Sequence, residues 1–369
     1  MRELGEGERV AVLPFEGVIY EEPSSEIIVS EDDIRKIGNS ERIVNALKKR
    51  GLLPLKYDSP KLPILIKLLG FATGDGWLGK YNNRWCLKFI GKTEDLKLVR
   101  EDVFKVGYKA TKTYTRACNS EVSYTDGRVG KIEGKTNYIT VGSLGLPILL
   151  YALGVPFGNK SKNEFEVPLW LFKAPLWMKR LYLASYFGAE MTRPNIRKKE
   201  QYRFGNPTLS LNKVKRLRNN AYIFLEQIRK LVKEFGLETM KISEHIGVKT
   251  KYGENTIKFK LKFSSKSGNI KKLWSRIGFE YCKDRINLSS YTTQYLDFKN
   301  KLLEKESILT GCAAEKLSVT SFQFRSIDCP TFHEFCNEYK LNPPTPVIWD
   351  VIEKKEEVNN FYGYVYDIT

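Results

Sequence analysis

Two acidic residues occupy the same position of a motif that occurs twice in the chain. Asp75 is the eighth residue of LLGFATGDG, which begins at Leu68, and Glu190 is the eighth residue of LASYFGAEM, which begins at Leu183. The third and seventh residues of both motifs are small. Carboxylates that come together in a folded protein can bind a divalent cation or transfer protons. Asp75 and Glu190 are therefore the first candidates for chemistry.

An apolar helix is predicted to carry the first of these acids. Apolar residues between positions 62 and 69 recur at the spacing of one helical face, which predicts a buried helix that ends at Asp75. Gly70 and Gly74 lie four residues apart and would let another backbone approach closely. Because the helix dipole disfavours a negative charge at a C-terminal end, we expect a positive group beside Asp75.

The repeated motif resembles that of the LAGLIDADG homing endonucleases in their single-chain, two-repeat form. The resemblance implies that the two motif helices pack through their small residues. It also implies that Asp75 and Glu190 meet between two pseudo-symmetric halves as the metal-binding acids. The implied cofactor is Mg²⁺, with two or three ions shared with the scissile phosphates. The second motif ends in Met191, where glycine is usual.

The chain is strongly basic between two acidic ends. Its 61 Lys and Arg against 43 Asp and Glu give a formal net charge of +18. The acidic residues are concentrated near the two ends, so the positive excess lies between residues 34 and 345. This distribution predicts a polyanion-binding protein with appended modules. The lysine-rich surface of a heat-adapted protein is the alternative explanation.

Cysteine and histidine usage argues against several other kinds of site. The 6 Cys form no C-x-x-C pair and the chain has only 2 His, so neither a zinc site nor a disulfide framework is predicted. This usage is typical of a reducing compartment, and we expect a cytoplasmic, DNA-associated protein. The sequence has no apolar run long enough to cross a membrane and no signal peptide, so no membrane partner is expected.

Both motifs are followed by the same predicted order of elements. The motif helix of each half and the residues that follow it, to Leu153 in the first half and to Ile277 in the second, have the pattern of a helix, two strands, a helix, two strands and a helix. The predicted fold class is α+β. It consists of two pseudo-symmetric αββαββα LAGLIDADG half-domains with DNA-binding antiparallel sheets, flanked by a partial all-β Hint-like module.

A basic residue follows the last predicted helix of each half. In the family, a basic residue near this place approaches the active centre. The matching positions here are Lys160 and Lys283, with Lys162 as an alternative to Lys160. The resemblance therefore implies that Asp75, Glu190, Lys160 and Lys283 form the catalytic set.

Basic residues alternate with apolar ones along the predicted strands. Lys258, Lys260 and Lys262 alternate with Phe259 and Leu261, so the three lysines share one sheet face. A two-stranded ribbon fits the major groove, where basic side chains contact phosphates and base edges. The predicted partner is double-stranded DNA with a long asymmetric target site, bound by a monomer. The predicted DNA-binding residues are Lys88, Lys112, Arg116, Arg197, Lys199, Arg203, Lys258, Lys260 and Lys262.

The two ends of the chain resemble the splicing domain of inteins. GERVAV, which begins at Gly7, is similar to an early strand of that domain, and YVYD, which begins at Tyr364, is similar to its late splicing block. Two flanking strands that merely pair with each other are the alternative. Residue 1 is Met rather than Cys or Ser, and no terminal His-Asn is present, so we do not expect the chain as given to splice.

The motifs and the resemblance of the chain ends together predict five segments. Residues 1–60 and 346–369 are assigned to the Hint-like module, the first of these with a linker. Residues 61–168 and 169–290 are assigned to the two repeats. Residues 291–345 are interpreted as a helical connector, with a helix-turn-helix DNA-binding module as the alternative.

The predicted function is that of a site-specific double-strand DNA endonuclease that hydrolyses phosphodiesters with Mg²⁺. One alternative is a catalytically silent DNA-binding protein of the same fold, which the presence of both motif acids disfavours. Another is an RNA intron maturase, which the intein-like ends disfavour.

Overall fold

The computed structural model describes residues 7–12, 15–38, 40–82, 84–123, 129–143, 145–197, 200–249, 253–310, 329–338 and 348–351. This part of the chain is a mixed α and β structure with several antiparallel sheets, in agreement with the predicted α+β class. Among the described residues, no helix combines the length and the apolar character needed to traverse a bilayer.

Helices and strands occur throughout the described part of the chain. The helices are α1 (Glu31–Gly38), α2 (Glu41–Lys48), α3 (Leu62–Asp75), α4 (Thr93–Lys105), α5 (Gly145–Leu153), α6 (Leu169–Lys173), α7 (Leu176–Glu190), α8 (Arg218–Glu234), α9 (Ser267–Lys272), α10 (Lys283–Thr310) and α11 (Phe332–Glu338). The strands are β1 (Arg9–Val12), β2 (Ile27–Val29), β3 (Leu55–Lys56), β4 (Gly76–Tyr81), β5 (Arg84–Ile90), β6 (Tyr114–Ser123), β7 (Val129–Val141), β8 (Ile196–Arg197), β9 (Glu200–Phe204), β10 (Thr208–Val214), β11 (Ser243–Ile246), β12 (Thr256–Lys262) and β13 (Ile348–Val351).

The two motif helices, α3 and α7, pack directly against each other. Each has a proline at its start, where a helix needs no backbone N–H donor. A Cβ atom on Gly70 would lie 2.4 Å from the carbonyl oxygen of Tyr182, and one on Gly74 would lie 2.3 Å from the Cβ of Ala189. The small residues of the motif are therefore the contact surface between the two helices.

A four-stranded antiparallel sheet follows the first motif helix, in the order β4-β5-β7-β6. Along β5, the buried side chains of Leu87 and Phe89 alternate with partly exposed ones. Helices α4 and α5 pack against this sheet. One sheet face therefore belongs to the core, and the other carries the more polar side chains.

A three-stranded antiparallel sheet follows the second motif helix, in the order β10-β12-β11, with α8 packed against it. The strand predicted near residues 196–202 differs from the observed structure. It is divided into the short strands β8 and β9, which pair with each other in a separate sheet. A register shift between Ile196 and Arg197 interrupts this pairing, as a bulge does. The second sheet thus has one strand fewer than the first.

Strands from opposite ends of the described chain pair with each other. Strand β1 is antiparallel to β13, with Arg9 opposite Val351. The predicted closing strand that begins at Tyr364 lies outside the described residues. The pairing of β1 with β13 agrees with either interpretation of the chain ends.

The segment that begins at residue 283 is helical. The amphipathic stretch that was predicted to begin at Tyr291 lies within α10, and α11 packs beside it, with the rings of Tyr295 and Phe335 5.4 Å apart. The second helical stretch proposed for a helix-turn-helix, residues 313–327, lies outside the described part of the chain. The contacts of α10 with α11 agree with the connector interpretation.

Candidate metal and nucleic-acid site

Asp75 and Glu190 end the two motif helices and lie close together. Both side chains are partly buried. The Cγ atom of Glu190 is 3.2 Å from the point that a Cβ on Gly74 would occupy, next to Asp75 in the chain. The close packing of α3 and α7 therefore brings together the two acids that the sequence singles out.

Lys160 reaches the end of the first motif helix, as predicted. Its Nζ atom donates a hydrogen bond of 3.0 Å to the carbonyl oxygen of Ala72 and a second, short one to that of Gly74. These carbonyls belong to the last turn of α3, where the helix dipole is negative. The alternative candidate, Lys162, is held elsewhere, because its Nζ atom lies 2.5 Å from a carboxylate oxygen of Glu254.

Arg285 holds the corresponding position at the second motif helix, and the sequence analysis missed it. Its Nη1 atom donates hydrogen bonds of 3.1 Å and 2.7 Å to the carbonyl oxygens of Phe187 and Gly188. Lys283, the predicted residue, is exposed and is not brought to the acids. The two residues lie in the first turn of α10, where a separation of two residues turns the side chain by about 200°.

The end of each motif helix therefore carries an acid and a cation. The helix-dipole argument predicts a cation at the end of α7 as well, but it does not distinguish Arg285 from Lys283. The expectation of a positive group beside Asp75 is confirmed by the hydrogen bonds of Lys160 to the end of α3.

Burial dominates the electrostatics of this group of residues. It raises the pKa of Glu190 to about 7, with the charge of Asp75 adding to the shift and Lys160 and Arg285 opposing it. Burial likewise raises the pKa of Asp75, against the effect of Lys160 and Arg285. It lowers the pKa of Lys160 to about 8, although both acids oppose this change. The two carboxylates thus lie where a further positive charge would be favourable.

A cleft of about 390 Å³ opens beside the acids, and we call it the acid cleft. Lys160, Tyr186 and Glu190 line it together with loop and strand residues. Trp77 and Ile90 come from the first sheet, and Ser210, Leu211 and Asn212 from the second. The polar faces of both sheets therefore reach the same cleft.

The second sheet presents the predicted lysine row. Lys258, Lys260 and Lys262 are partly exposed on β12, whereas Phe259 and Leu261 between them are buried. The residues opposite these lysines on β10 and β11 are polar, namely Thr208, Ser210, Asn212, Ser243 and His245. The alternation predicted from the sequence is confirmed, and it gives a basic and polar face that extends to the acid cleft.

The first sheet carries basic residues among aromatic rings. Lys88 lies opposite Trp77 on the neighbouring strand, and its Nζ atom is 5.5 Å from the ring centroids of both Trp77 and Tyr138. Arg116 is exposed on β6, and Lys112 is exposed just before that strand. Basic side chains interleaved with aromatic rings are suited to contacts with phosphates and bases.

Three predicted DNA-binding residues are not part of these two faces. Arg197 and Arg203 lie on β8 and β9, which form their own sheet, and Arg197 donates a hydrogen bond of 3.0 Å to Ser265. Lys199 lies outside the described residues. Arg197 and Arg203 do not extend the lysine row, because β8 and β9 pair with each other rather than with β10.

Asp75 and Glu190 are the carboxylates at the acid cleft, whose lining otherwise offers hydroxyl and amide groups. The described residues contain no cluster of three or more His, Cys, Asp and Glu side chains that could enclose a metal ion. Mg²⁺ is held by one or two carboxylates when water and phosphate oxygens complete its shell. Asp75 and Glu190 fit that requirement, whereas an ion that needs a full set of protein ligands would not fit.

No family model matches the chain. Three curated archaeal relatives align with nearly all of it. The chain is 33% identical over 341 residues to the tRNA-splicing ligase RtcB of Methanocaldococcus jannaschii, which is 91% of this chain and 34% of that protein. It is 30% identical over 369 residues to the RtcB ligase of Pyrococcus abyssi, covering 99% and 36%. It is 31% identical over 373 residues to the DNA-directed RNA polymerase subunit Rpo1N of M. jannaschii, covering 100% and 26%.

The names of the ligase relatives contradict the function predicted from the sequence. Archaeal relatives with identities of 30% to 33% are named tRNA-splicing ligase RtcB, and these names do not describe a homing endonuclease, an intein or a maturase. The family assignment, the site-specific cleavage of DNA and the Mg²⁺-dependent DNA hydrolase are therefore withdrawn on this finding. The resemblance rested on two short motifs whose small residues determine helix packing, and packing does not fix an activity.

The chain spans about a third of the length of the ligases that it matches. The same stretch also aligns with part of an RNA polymerase subunit. A segment that occurs within proteins of two different names does not take the activity of either from the match alone.

One solved structure, the homing endonuclease I-WcaI bound to its DNA recognition sequence, aligns with 69% of this chain and 97% of its own. The sequence identity is 14% and the TM-score is 0.36, so this alignment does not establish a common fold.

Proposed function

We propose that the chain binds double-stranded nucleic acid across its two basic sheet faces and holds Mg²⁺ against a backbone phosphate. The observation that carries the proposal is that Glu190 and Lys160 line one cleft that both sheets border, with Asp75 beside them at the end of α3. Double-stranded DNA is the partner that the sequence predicts. The chemistry available to such a site is phosphoryl transfer.

The duplex is proposed to lie on both polar faces at once. Lysines on β12 and Lys88 on β5 supply positive charge on either side of the acid cleft. Most such contacts bind phosphates and determine position, and a smaller number read base edges. Because the first sheet has four strands and the second has three, the two halves of a bound site would be contacted differently. This difference supports an asymmetric site and binding by a monomer.

Two further parts of the sequence prediction remain proposals. We propose that α3 and α7, with the sheets that follow them, are related halves, which the shared motif positions and the helix-end cations support. We also propose that the chain ends form a separate flanking β module, which the pairing of β1 with β13 supports. The boundaries proposed for these segments are those predicted from the sequence.

Asp75 and Glu190 would hold the metal ion through carboxylate oxygens. When bound, the ion would supply Lewis-acid stabilisation of a phosphate oxygen. The Nζ atom of Lys160 is proposed to donate to a phosphate oxygen as negative charge develops there. The guanidinium of Arg285 would compensate the negative charge of Glu190.

RNA strand joining is a second candidate function, favoured by the name of the ligase relatives. It would use the same cleft, since transfer of an activated strand-end phosphate to the hydroxyl of a second strand, with departure of the activating group, is also phosphoryl transfer. In this case an RNA substrate would replace DNA on the sheet faces.

Equilibrium binding to labelled duplexes tests the proposal. The full chain is titrated into duplex DNA and duplex RNA of equal length, with and without Mg²⁺, and the products are separated on denaturing gels. We expect duplex binding that Mg²⁺ strengthens and that Lys160→Met weakens. Joined RNA strands would favour the second candidate. Equal affinities with and without Mg²⁺, or no binding of any duplex, would overturn the proposal.

A further inference from the structure

We propose that Lys213 is a positioning residue that holds Lys160 in the acid cleft. The proposal deepens the function proposed above and rests on it for the role of Lys160. It concerns a fully buried lysine on β10 that does not itself line the cleft.

The loop that carries Lys160 is bound along one side by β10 and the turn after it. Three successive carbonyl oxygens, those of Ser161, Lys162 and Asn163, accept hydrogen bonds from this neighbouring segment. The donors are the backbone N of Val214 at 2.9 Å, Nη2 of Arg216 at 2.8 Å and Nζ of Lys213. The backbone immediately after Lys160 is thus fixed at three consecutive points.

Lys160 is held by a strand that comes after the second motif helix in the chain. Its Nζ atom binds the end of the first motif helix, α3, whereas β10 comes after the second, α7. The side of β10 that bears Ser210 and Asn212 borders the acid cleft, and Lys213 lies on its opposite, buried side. The same strand therefore both shapes the cleft and holds the lysine loop.

Burying the side chain of Lys213 costs free energy of folding, because its ammonium group is removed from water. Its side chain has 0% exposure, and its Nζ atom lies 3.9 Å from the ring centroid of Phe165. Burial lowers its pKa to about 8, against the effect of Glu164. A methionine would fill similar space without this cost. The bond to the carbonyl of Asn163 is the feature that only a donor at this position supplies.

Site-resolved acetylation of Lys160 tests the role of Lys213. The full chain is treated with an amine-reactive acetylating reagent, and the rate at Lys160 is read by peptide mass spectrometry. Lys213→Met should make Lys160 react at least about tenfold faster, because a hydrogen bond from a charged donor no longer opposes opening of the loop.

Lys299 offers a matched control. It is another buried lysine, with 6% exposure, and its Nζ atom donates a hydrogen bond of 3.0 Å to the carbonyl of Tyr202, on β9. Lys299→Met should leave the reactivity of Lys160 unchanged. Equal acceleration by Lys299→Met, or none by Lys213→Met, would overturn the positioning role.

Two additional measurements keep the proposal testable. If Lys213→Met does not fold, the exposed Arg216 provides a milder variant, and Arg216→Gln should also accelerate acetylation of Lys160. Duplex binding is then compared for Lys213→Met, Lys160→Met and the double variant. If Lys213 acts through Lys160, the double variant binds no more weakly than Lys160→Met. Faster acetylation of Lys160 in Lys213→Met, together with unchanged duplex binding by Lys160→Met, would contradict the proposed function but leave the positioning role intact.

Discussion

The Nζ atom of Lys160 donates a hydrogen bond of 3.0 Å to the carbonyl oxygen of Ala72, one turn before Asp75. Arg285 makes the equivalent contact with the carbonyl of Gly188, near Glu190. Each cation thus stabilises a helix end that an acid would otherwise make more negative. This arrangement allows two partly buried carboxylates to remain side by side.

Close packing of the motif helices is expected to depend on Gly74. A Cβ atom at this position would lie 2.3 Å from the Cβ of Ala189, so Gly74→Ala should destabilise the fold by about 2 kcal/mol through overpacking. Removing the opposing methyl group in Gly74→Ala/Ala189→Gly should recover most of this loss. Urea unfolding of the variants measures both effects.

Gly134 is the matched control for that comparison. No atom lies within 4 Å of a Cβ added there, so Gly134→Ala should change stability by less than about 0.5 kcal/mol. A loss in Gly74→Ala no larger than in Gly134→Ala would contradict the close helix contact.

The sequence predicted the features that depend on local spacing. The helix face before Asp75, the small-residue contact at Gly70 and Gly74, and the lysine row on β12 all follow from helical or strand periodicity. Lys160 was also assigned, from the family resemblance and its place after the last predicted helix of the first half. These features needed no knowledge of distant contacts.

Other features depend on long-range packing and could not be predicted in this way. Arg285 rather than Lys283 faces α7, because contacts such as that of Tyr281 with Asp102 fix where α10 begins. The division of the predicted strand into β8 and β9, which pair with each other, is not revealed by strand propensity. The motif itself predicted a helix contact correctly, whereas the activity attached to it was contradicted by the names of the relatives.

The lysine row should determine much of the salt dependence of duplex binding. Replacing Lys258, Lys260 and Lys262 with Gln should reduce the slope of log K against log salt by about 2 to 3 if each lysine contacts a phosphate. Fluorescence anisotropy at several salt concentrations measures this slope.

Three exposed lysines on or directly after helices provide a control with the same change in charge, namely Lys36, Lys49 and Lys233. Their replacement with Gln should change the slope much less. A similar decrease in this slope for both triple variants would indicate that net charge, rather than the sheet face, drives binding.

Asp102 should make a pH-dependent contribution to stability. Burial acts to raise its pKa, but hydrogen bonds from Lys67 and Tyr281 outweigh burial and hold the pKa below its usual value. The contribution is therefore present above about pH 4, the unfolded pKa, and is lost as the pH falls through the lower folded value. Asp102→Asn should cost about 3 kcal/mol at pH 7, because it leaves Lys67 without its charged partner.

The difference in unfolding free energy between the wild type and Asp102→Asn, measured by chemical denaturation, should shrink as the pH falls below 4. Asp297, whose side chain is 39% exposed and pairs with Lys271, is the control. Asp297→Asn should cost less than about 1 kcal/mol. A difference for Asp102→Asn that stays constant between pH 7 and pH 3 would contradict this assignment.

Binding of a divalent cation by the acid pair is the central claim, and luminescence of Tb³⁺ tests it most directly. Tb³⁺ has a similar preference for oxygen ligands, and Trp77, which lines the acid cleft, can transfer excitation energy to it. We expect luminescence in the wild type that Mg²⁺ displaces, and a loss of at least about tenfold in Tb³⁺ affinity in both Asp75→Asn and Glu190→Gln. Equal affinity for Tb³⁺ in the wild type and both variants would contradict the claim.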